Sequence, residues 1–479
     1  MNEASINAFF TPRGVAIIGA SARQGSPSNQ ILKYSKEMSL TGNVFPVNPT
    51  AKEIEGLKCY GSLLEIPETV DLVVISVGAS KALNVAYEIK ERREAVGDAG
   101  AVAIVSAGFK ELGTEEAIAL QDEMIATIKS CGARVIGPNC QGVVDIYNGI
   151  NTTFSVPPVT LKGGLTIISQ SGAFATSYLR WAKDHKLVGI NKFVTLGNMA
   201  DVDVTETLAF MADDERTKVI AMYLEGTTDA RKLMDVAKSV TSKKPIVAIK
   251  AGRTAAGSNV AHSHTASIAG DDNIYDGAFK QVGIIRANTI AEFYHTGRVF
   301  DKMPIPKGNR ICILTVVGGP STICVDALTE TGEAQLAHFS DELVTSVQAV
   351  LSGNANVGNP DGYIDMTASI TPVMHKDALA LLMADDSIDG IIFITTPPGF
   401  IGSEDLAKAI EEGYNAVPEE KRKPLFSVLM AGNAVGDCRV MLEEKGFPTF
   451  EYPDEAARVM INMIRYSNYL KHNGVDERM

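Results

Sequence analysis

Short, wholly apolar runs alternate along this chain with longer runs of mixed character. The first, VAIIGAS (Val15–Ser21), passes through a polar turn into the helix-compatible ARQGSPSNQILKYSKEM. NVFPVNP, VDLVVISV and AVAIVSAG repeat the apolar signature, with SKALNVAYEIKERREAV and TEEAIALQDEMIATIKSCG interspersed, and ARVIGPNCQG closes the series at residue 142. Strands without polar alternate positions, separated by amphipathic helices, predict a parallel sheet covered on both faces.

The pattern then restarts twice. Beyond the connector YNGINTTFSVPPVTLKGG, LTIISQSGAFATSYLRWAKDH reads as strand, sharp polar turn and helix. FVTLGNMADVDV, TKVIAMYLEG and KPIVAIK supply further strands, and KPIVAIK runs into AGRTAAGSNVAHSHTASIAG. That segment reads as a glycine- and serine-rich loop leading to a helix-compatible run through Phe279. A second connector, DKMPIPKG, precedes NRICILTVVGGPSTICVDALTETG, and IDGIIFITTPPG and KPLFSVLMAG are later strands. GNANVGNPDGYIDMTAS reads as a long irregular connection, and EAARVMINMIRYSNYLK as a helix lying over a sheet. We therefore expect three α/β domains, 1–145, 146–302 and 303–479. The chain shows neither a solenoid-like repeat nor a G-x-x-x-x-G-K-[ST] phosphate loop.

Composition narrows the class. The chain has 479 residues, 45% of them hydrophobic and 21% charged, as in a folded globular protein. A formal net charge of -13 disfavours broad binding to nucleic acid or anionic membrane, although a local basic pocket can still hold phosphate. Six cysteines without a close metal-binding pair suit a reducing compartment. MNEASINAFFTPRG lacks the apolar core of a secretory signal, and no run reaches about 18 uninterrupted apolar residues, so a cytoplasmic location is expected.

Ligands of parallel sheets meet the carboxyl ends of the strands, which directs attention to the turns. Gly19, Ser21 and the Gly137–Gly142 turn are candidates, and the helix start after Ser21 can receive phosphates although the full GxGxxG spacing is missing. Ser169, Ser171 and Gly172 place hydroxyls and backbone donors at another helix start, as an anion nest or as a simple cap. Gly197 and Asn198 can shape a second binding turn. Gly318-Gly319-Pro320-Ser321 is either a phosphate-facing helix start or an ordinary strand–helix turn. Cys140 reads as a small buried thiol.

His264, between Ser263 and Thr265, is the candidate nucleophile, because the small residues around it permit close approach to a ligand. A surface loop with hydrogen-bonded histidines is the alternative. His262 completes no persuasive metal set with a nearby Cys, His, Asp or Glu cluster. Glu225, at the end of a strand of the same sheet, can share a crevice with His264 and stabilise its protonated imidazole while a phosphoryl group transfers. Spacing alone does not establish that contact.

The ordered set VAIIGAS, GPNCQG, SQSGA, LGN, YLEG, SHTASIAG and GGP resembles the alpha subunits of ADP-forming (NDP-forming) acetate/acyl-CoA synthetases, which are related to succinyl-CoA synthetase, across nearly the whole chain. The resemblance implies an α/β protein with a Rossmann-like CoA-binding domain followed by two flavodoxin-like succinyl-CoA-synthetase-type domains. It places Gly19, Ala20 and Ser21 in the CoA-binding turn and Ser169, Gln170, Ser171 and Gly172 at the border of the phosphate site. His264 matches the transiently phosphorylated histidine, Glu225 its supporting acid, and Gly318 and Gly319 the start of the third domain's phosphate-facing helix.

The implied reaction converts acyl-CoA, ADP and phosphate into carboxylic acid, CoA and ATP, and the reverse. The resemblance supplies no ATP-grasp region, so it implies a separate beta subunit carrying ADP/ATP and Mg2+, in an assembly with two copies of each chain. Three departures bear on substrate preference and rate. Ala266 stands where glycine is usual, TVVGGP replaces an asparagine-alanine approach, and NPDGYIDMTAS is longer than the usual turn. A noncatalytic regulatory acyl-CoA-binding protein or a structural partner protein is the alternative to the enzyme subunit.

Overall fold

The computed structural model describes residues 5–39, 42–155, 161–185, 188–265, 271–396, 399 and 401–475, without the side chains of 185 and 261–265. It divides into two compact units, with the change at Arg286/Ala287.

The first unit opens with β1 (Val15–Ile18), α1 (Pro27–Met38), β2 (Val44–Val47) and a small antiparallel hairpin, β3 (Glu53–Ile54) and β4 (Leu57–Lys58). β5 (Leu72–Ile75), α2 (Ala79–Val96), β6 (Ala101–Ile104), α3 (Glu115–Ser130) and β7 (Arg134–Ile136) follow. Their sheet has the order β2-β1-β5-β6-β7 and is parallel throughout. Side chains alternate between its faces. Val15, Ile17, Leu72 and Val74 enter one apolar core, whereas Ala16, Ile18, Val73 and Ile75 enter another. Both faces are therefore covered, which is why these strands carry no polar positions. Local chemistry starts the helices: Ser26 caps α1 ahead of Pro27, and Thr114 caps α3 ahead of Glu115 and Glu116.

The same unit holds a second sheet. Its elements are β8 (Val143–Asp145), β9 (Ile150–Asn151), β10 (Lys162–Ser169), α4 (Gly172–His185), β11 (Ile190–Thr195), α5 (Val204–Ala212) and β12 (Val219–Leu224). α6 (Ala230–Thr241), β13 (Ile246–Lys250), α7 (Ala255–Thr265), α8 (Asp272–Val282) and β14 (Ile284–Arg286) complete it. The order is β14-β13-β12-β10-β11-β8-β9. Pairing is parallel from β14 to β11 and antiparallel at β8 and β9.

Two differences from the sequence reading stand out. Part of the expected connector after residue 145 is β9, and β8 pairs with β11 of this sheet although it lies before residue 146. Residues 255–265, read as loop, are helical. Thr254 Oγ1 accepts the Gly257 N–H at 3.1 Å and caps the helix start, and Ala255 and Ala256 in the first turn carry no helix penalty.

The second unit contains α9 (Ile290–Lys302), β15 (Arg310–Thr315), α10 (Gly318–Thr329), β16 (Gln335–Leu336), α11 (Asp341–Val350), β17 (Asn356–Val357) and β18 (Tyr363–Asp365). Then come α12 (Pro372–Ala384), β19 (Gly390–Thr395), α13 (Ser403–Tyr414), β20 (Leu425–Leu429), α14 (Gly436–Glu444), β21 (Thr449–Phe450) and α15 (Pro453–His472). The sheet runs β17-β18-β15-β19-β20-β21, with β16 also on β15. β17 and β18 lie in the stretch expected to be irregular.

α9, which precedes residue 303, packs within this unit. Its fully buried Arg298 bonds Glu443 at 2.5 Å and the Thr449 carbonyl, and Lys302 reaches the same carboxylate at 2.8 Å. Burial alone would raise the Glu443 pKa, but the two cations outweigh it and hold the group ionised. Among the described residues no helix is long and apolar enough to cross a membrane.

Candidate active site

Four turns follow the carboxyl ends of adjacent parallel strands: Gln170–Ser171 after β10, Gly197–Asn198 after β11, Glu225–Gly226 after β12 and Ala251–Gly252 after β13. Ser169 ends β10 fully buried and donates its hydroxyl to the Ser171 carbonyl at 2.7 Å. It shapes the turn. The Ser171 Oγ accepts the Phe174 N–H at 3.3 Å, so this hydroxyl caps α4.

Gly172 is the first residue of α4. A Cβ there would stand 2.4 Å from Cγ of Gln141, so the close approach of the GPNCQG turn demands glycine. Gln141 is held by its own N–H to Thr195 Oγ1 at 2.7 Å, and its side-chain oxygen accepts Thr176 at 2.8 Å and also Ser155.

Gln170 points into the protein. Its Oε1 accepts the N–H of Glu225 and, at 3.1 Å, that of Gly226; its Nε2 donates to the Gly226 carbonyl at 2.9 Å and to Met199 Sδ at 3.3 Å. Glu225 is only 4% exposed. Tyr223 stacks on Phe174 with ring centroids 4.3 Å apart, and burial together with the neighbouring Glu225 carboxylate raises its pKa. Lys250 ends β13 almost fully buried, with its ammonium 4.8 Å from the Tyr275 ring centroid. Desolvation lowers its pKa against the attraction of Asp272.

Ser171, Tyr223 and Glu225 line one pocket of about 440 Å³ together with Gly252, Gly257 and Val260. The structure thus brings two of the sequence-predicted residues, Ser171 and Glu225, to the helix that carries the histidine. His264 is the penultimate residue of α7, one helical turn beyond Val260. Its side chain lies outside the described residues, as do those of His262 and Ser263 and the whole of Ala266.

The β1–α1 turn is built differently. Gly19 has φ +85°, and a Cβ would meet Val77 Cγ1 at 2.5 Å and Ser76 O at 2.8 Å. The Gly19 and Ala20 amides both donate to Val47 O, at 3.0 and 3.2 Å, so these two residues close the turn onto the sheet. Ser21 is partly exposed, and its Oγ accepts the Arg23 N–H at 3.1 Å. Cys140 is buried, which pushes its thiol pKa up to about 12. Asn198 donates to Glu111 at 2.6 Å and to Gln121 at 3.0 Å, so the side chain of the LGN turn ties the two sheets together.

Gly318 and Gly319 belong to the second unit, exposed at the start of α10, whose N-cap position Val317 makes no side-chain cap bond. A Cβ at Gly318 would have Asp365 Oδ2 at 3.8 Å as its nearest neighbour and one at Gly319 nothing within 4 Å, so packing does not require either glycine.

Three residues escaped the sequence reading. Gln141 lay inside a motif whose glycines drew attention, Tyr223 looked like an ordinary strand residue, and Glu111 sat on a loop without a motif. Of the three, Tyr223 alone carried a positional signal, as a polar residue one place before the carboxyl end of its strand.

Residues 13–145 match the family model for a CoA binding domain, and residues 162–300 match that for a succinyl-CoA ligase like flavodoxin domain. The alpha subunit of Pyrococcus furiosus acetate–CoA ligase [ADP-forming] II is 36% identical over 95% of this chain and 97% of its own length. Acetate–CoA ligase [ADP-forming] I of Archaeoglobus fulgidus is also 36% identical; the match takes in 98% of this chain and 65% of that protein. Among solved structures, the dinucleotide forming acetyl-coenzyme A synthetase 1 of Ca. Korarchaeum cryptofilum, in complex with phosphate and ADP, superposes with a TM-score of 0.88. That match has 31% identity and covers 98% of this chain and 99% of the other.

Proposed function

The chain belongs to the ADP-forming acetate–CoA ligase family, and from that premise we propose that it is the alpha subunit of an ADP-forming acyl-CoA synthetase, interconverting acyl-CoA, ADP and phosphate with a carboxylic acid, CoA and ATP. The observation that carries this reading is the pocket joining Ser171, at the start of α4, and Glu225 to the helix bearing His264.

Phosphate attacks the thioester carbonyl; the new C–O bond replaces the C–S bond, CoA leaves as the thiol, and an acyl phosphate remains. His264 then attacks phosphorus and releases the carboxylate. The first amides of α4, with its dipole, stabilise the phosphoryl oxygens, and Glu225 orients the imidazole and offsets its developing charge. Ser171 and Gly172 face the phosphoryl group, whereas Ser169 and Gln170 build the turn. Gly318 and Gly319 offer, within the second unit, an exposed helix start suited to a phosphate group. Transfer from His264 to ADP completes the cycle.

CoA suits the β1–α1 turn on one structural ground: the Gly19 cradle, which a Cβ would fill, lets the turn close at the carboxyl edge of the sheet. Gly19 and Ala20 shape that turn, and Ser21 offers the exposed polar group. ADP/ATP and Mg2+ belong to an ATP-grasp beta subunit in an α2β2 assembly. Relatives called subunit alpha support this division, since the match covers 97% and 98% of their lengths, against 65% of the Archaeoglobus fulgidus relative, whose name carries no subunit. One large sheet in each of 1–145, 146–302 and 303–479 supports three domains, the first two sharing one compact unit, apart from the placements of β8 and α9. Six buried free cysteines support a cytoplasmic location.

The test combines the purified chain, its beta subunit, magnesium and radiolabelled ATP. Acid-labile, base-stable phosphate should appear on this chain and vanish in His264→Ala. Absence of label in a complex shown to bind nucleotide would leave the noncatalytic acyl-CoA-binding reading in its place.

A further inference from the structure

We propose that Gln170 is the positioning residue for Glu225, holding the backbone on both sides of that residue so that its carboxylate meets the phosphoryl-transfer pocket in one place. This rests on the proposed role of Glu225 and adds the group that enforces it.

The ladder between β10 and β12 ends at Ser169↔Tyr223, and the ladder between β12 and β13 ends at Leu224↔Lys250. Glu225 therefore lies past the end of both ladders, and Gln170 continues the hold on the backbone there. Its backbone N–H donates to Tyr223 O at 3.2 Å. Its side-chain oxygen then takes the next two N–H groups, of Glu225 and Gly226, and its side-chain nitrogen takes the Gly226 carbonyl at 2.9 Å.

The amide orientation follows from the partners. Rotating it by half a turn would set an NH2 group against two N–H donors and an oxygen against a carbonyl. At 6% exposure the group is screened from water, so each lost bond leaves a buried polar atom unsatisfied. With all its contacts made to protein, Gln170 acts on the reaction through Glu225.

A double-mutant cycle in the complete complex separates this from a general structural role. Gln170→Met removes the amide at similar length, and Gln170→Asn keeps an amide too short to reach; either serves if the other folds poorly. Rapid-quench formation of phosphohistidine should slow about tenfold or more in each, while KM for acyl-CoA and the affinity for CoA change by less than about twofold. In a Glu225→Gln background the same substitutions should cost nothing further, because the carboxylate they would misplace is gone. Full multiplication of the two losses, or an unchanged rate in the Gln170 variants, overturns the positioning role. An unchanged rate in Glu225→Gln alone instead sinks the role of Glu225.

Discussion

Replacing Gly172 by alanine tests how the phosphate turn is built. The new Cβ would lie 2.4 Å from Gln141 Cγ, against an ordinary carbon–carbon contact of about 3.5–4.0 Å. Relief requires a movement of about 1 Å or more. If Gln141 yields, its side-chain oxygen loses the hydroxyls of Thr176 and Ser155, at about 1 kcal/mol each, and overpacking adds a further 1–3 kcal/mol or so. Gly172→Ala should therefore destabilise the first unit by about 3–5 kcal/mol in urea unfolding. If α4 yields instead, its first amides shift relative to Glu225, and phosphohistidine formation should fall by up to about a hundredfold. Truncating the obstacle discriminates: Gln141→Ala in the Gly172→Ala background removes the clash but not the loss of the two hydroxyl bonds, so it should recover the overpacking part of the stability loss, about 1–3 kcal/mol, and most of the rate. Wild-type stability and rate in Gly172→Ala, or a double variant no better than the single, would refute the close-approach account.

Two further outcomes follow from buried charge. Burial holds His375 neutral, with its pKa lowered to about 4 despite the ring nitrogen's contact with the Thr371 carbonyl at 3.0 Å. Between about pH 6.5 and 4 the unfolded chain binds a proton that the folded chain refuses, so stability present above 6.5 is lost as pH falls, by about 3 kcal/mol in all. His375→Phe should flatten that part of the pH–stability curve, and an equal slope in both proteins would refute the assignment. Arg134 bonds Asp201 at 2.9 Å and both oxygens of Glu206, linking β7 to the segment leading into α5 and to α5 itself. Asp201 is 3% exposed but keeps Lys129 at 2.8 Å and the Val135 N–H at 2.8 Å, so Arg134→Ala removes charge-assisted bonds without stranding the carboxylate and should cost about 1.5–3 kcal/mol in urea unfolding; wild-type stability would refute this.

Elements whose sequence pattern reflects their own burial were legible before the structure. VAII, LVVI and AVAI are apolar throughout because successive residues enter two different cores, and that demand is written in consecutive positions. β8, β9 and β18 were not legible as strands. They are two or three residues long, too short to show a period, and exist because β11, β8 and β15 respectively offer β8, β9 and β18 an edge to pair with. The end of the second domain misled for a similar reason. The apolar pattern continues through Lys302, but buried Arg298 is satisfied by Glu443, 145 residues away.

The site divides in the same way. Which turns would surround it was readable, because parallel strands deliver ligands at their carboxyl ends and small polar residues mark those ends. The direction of each side chain was not. Gln170 and Asn198 sit in motifs that invite a ligand-contact reading, yet their partners are Gly226 and Glu111, 56 and 87 residues distant, and those partners turn both amides toward protein. A motif locates a turn in the sheet, but the choice between touching a ligand and holding the group that does is made by residues elsewhere in the chain. The hydrogen bonds from Gln170 to the backbone of Glu225 and Gly226 make the two residues one structural unit, and substitutions at either are to be measured together.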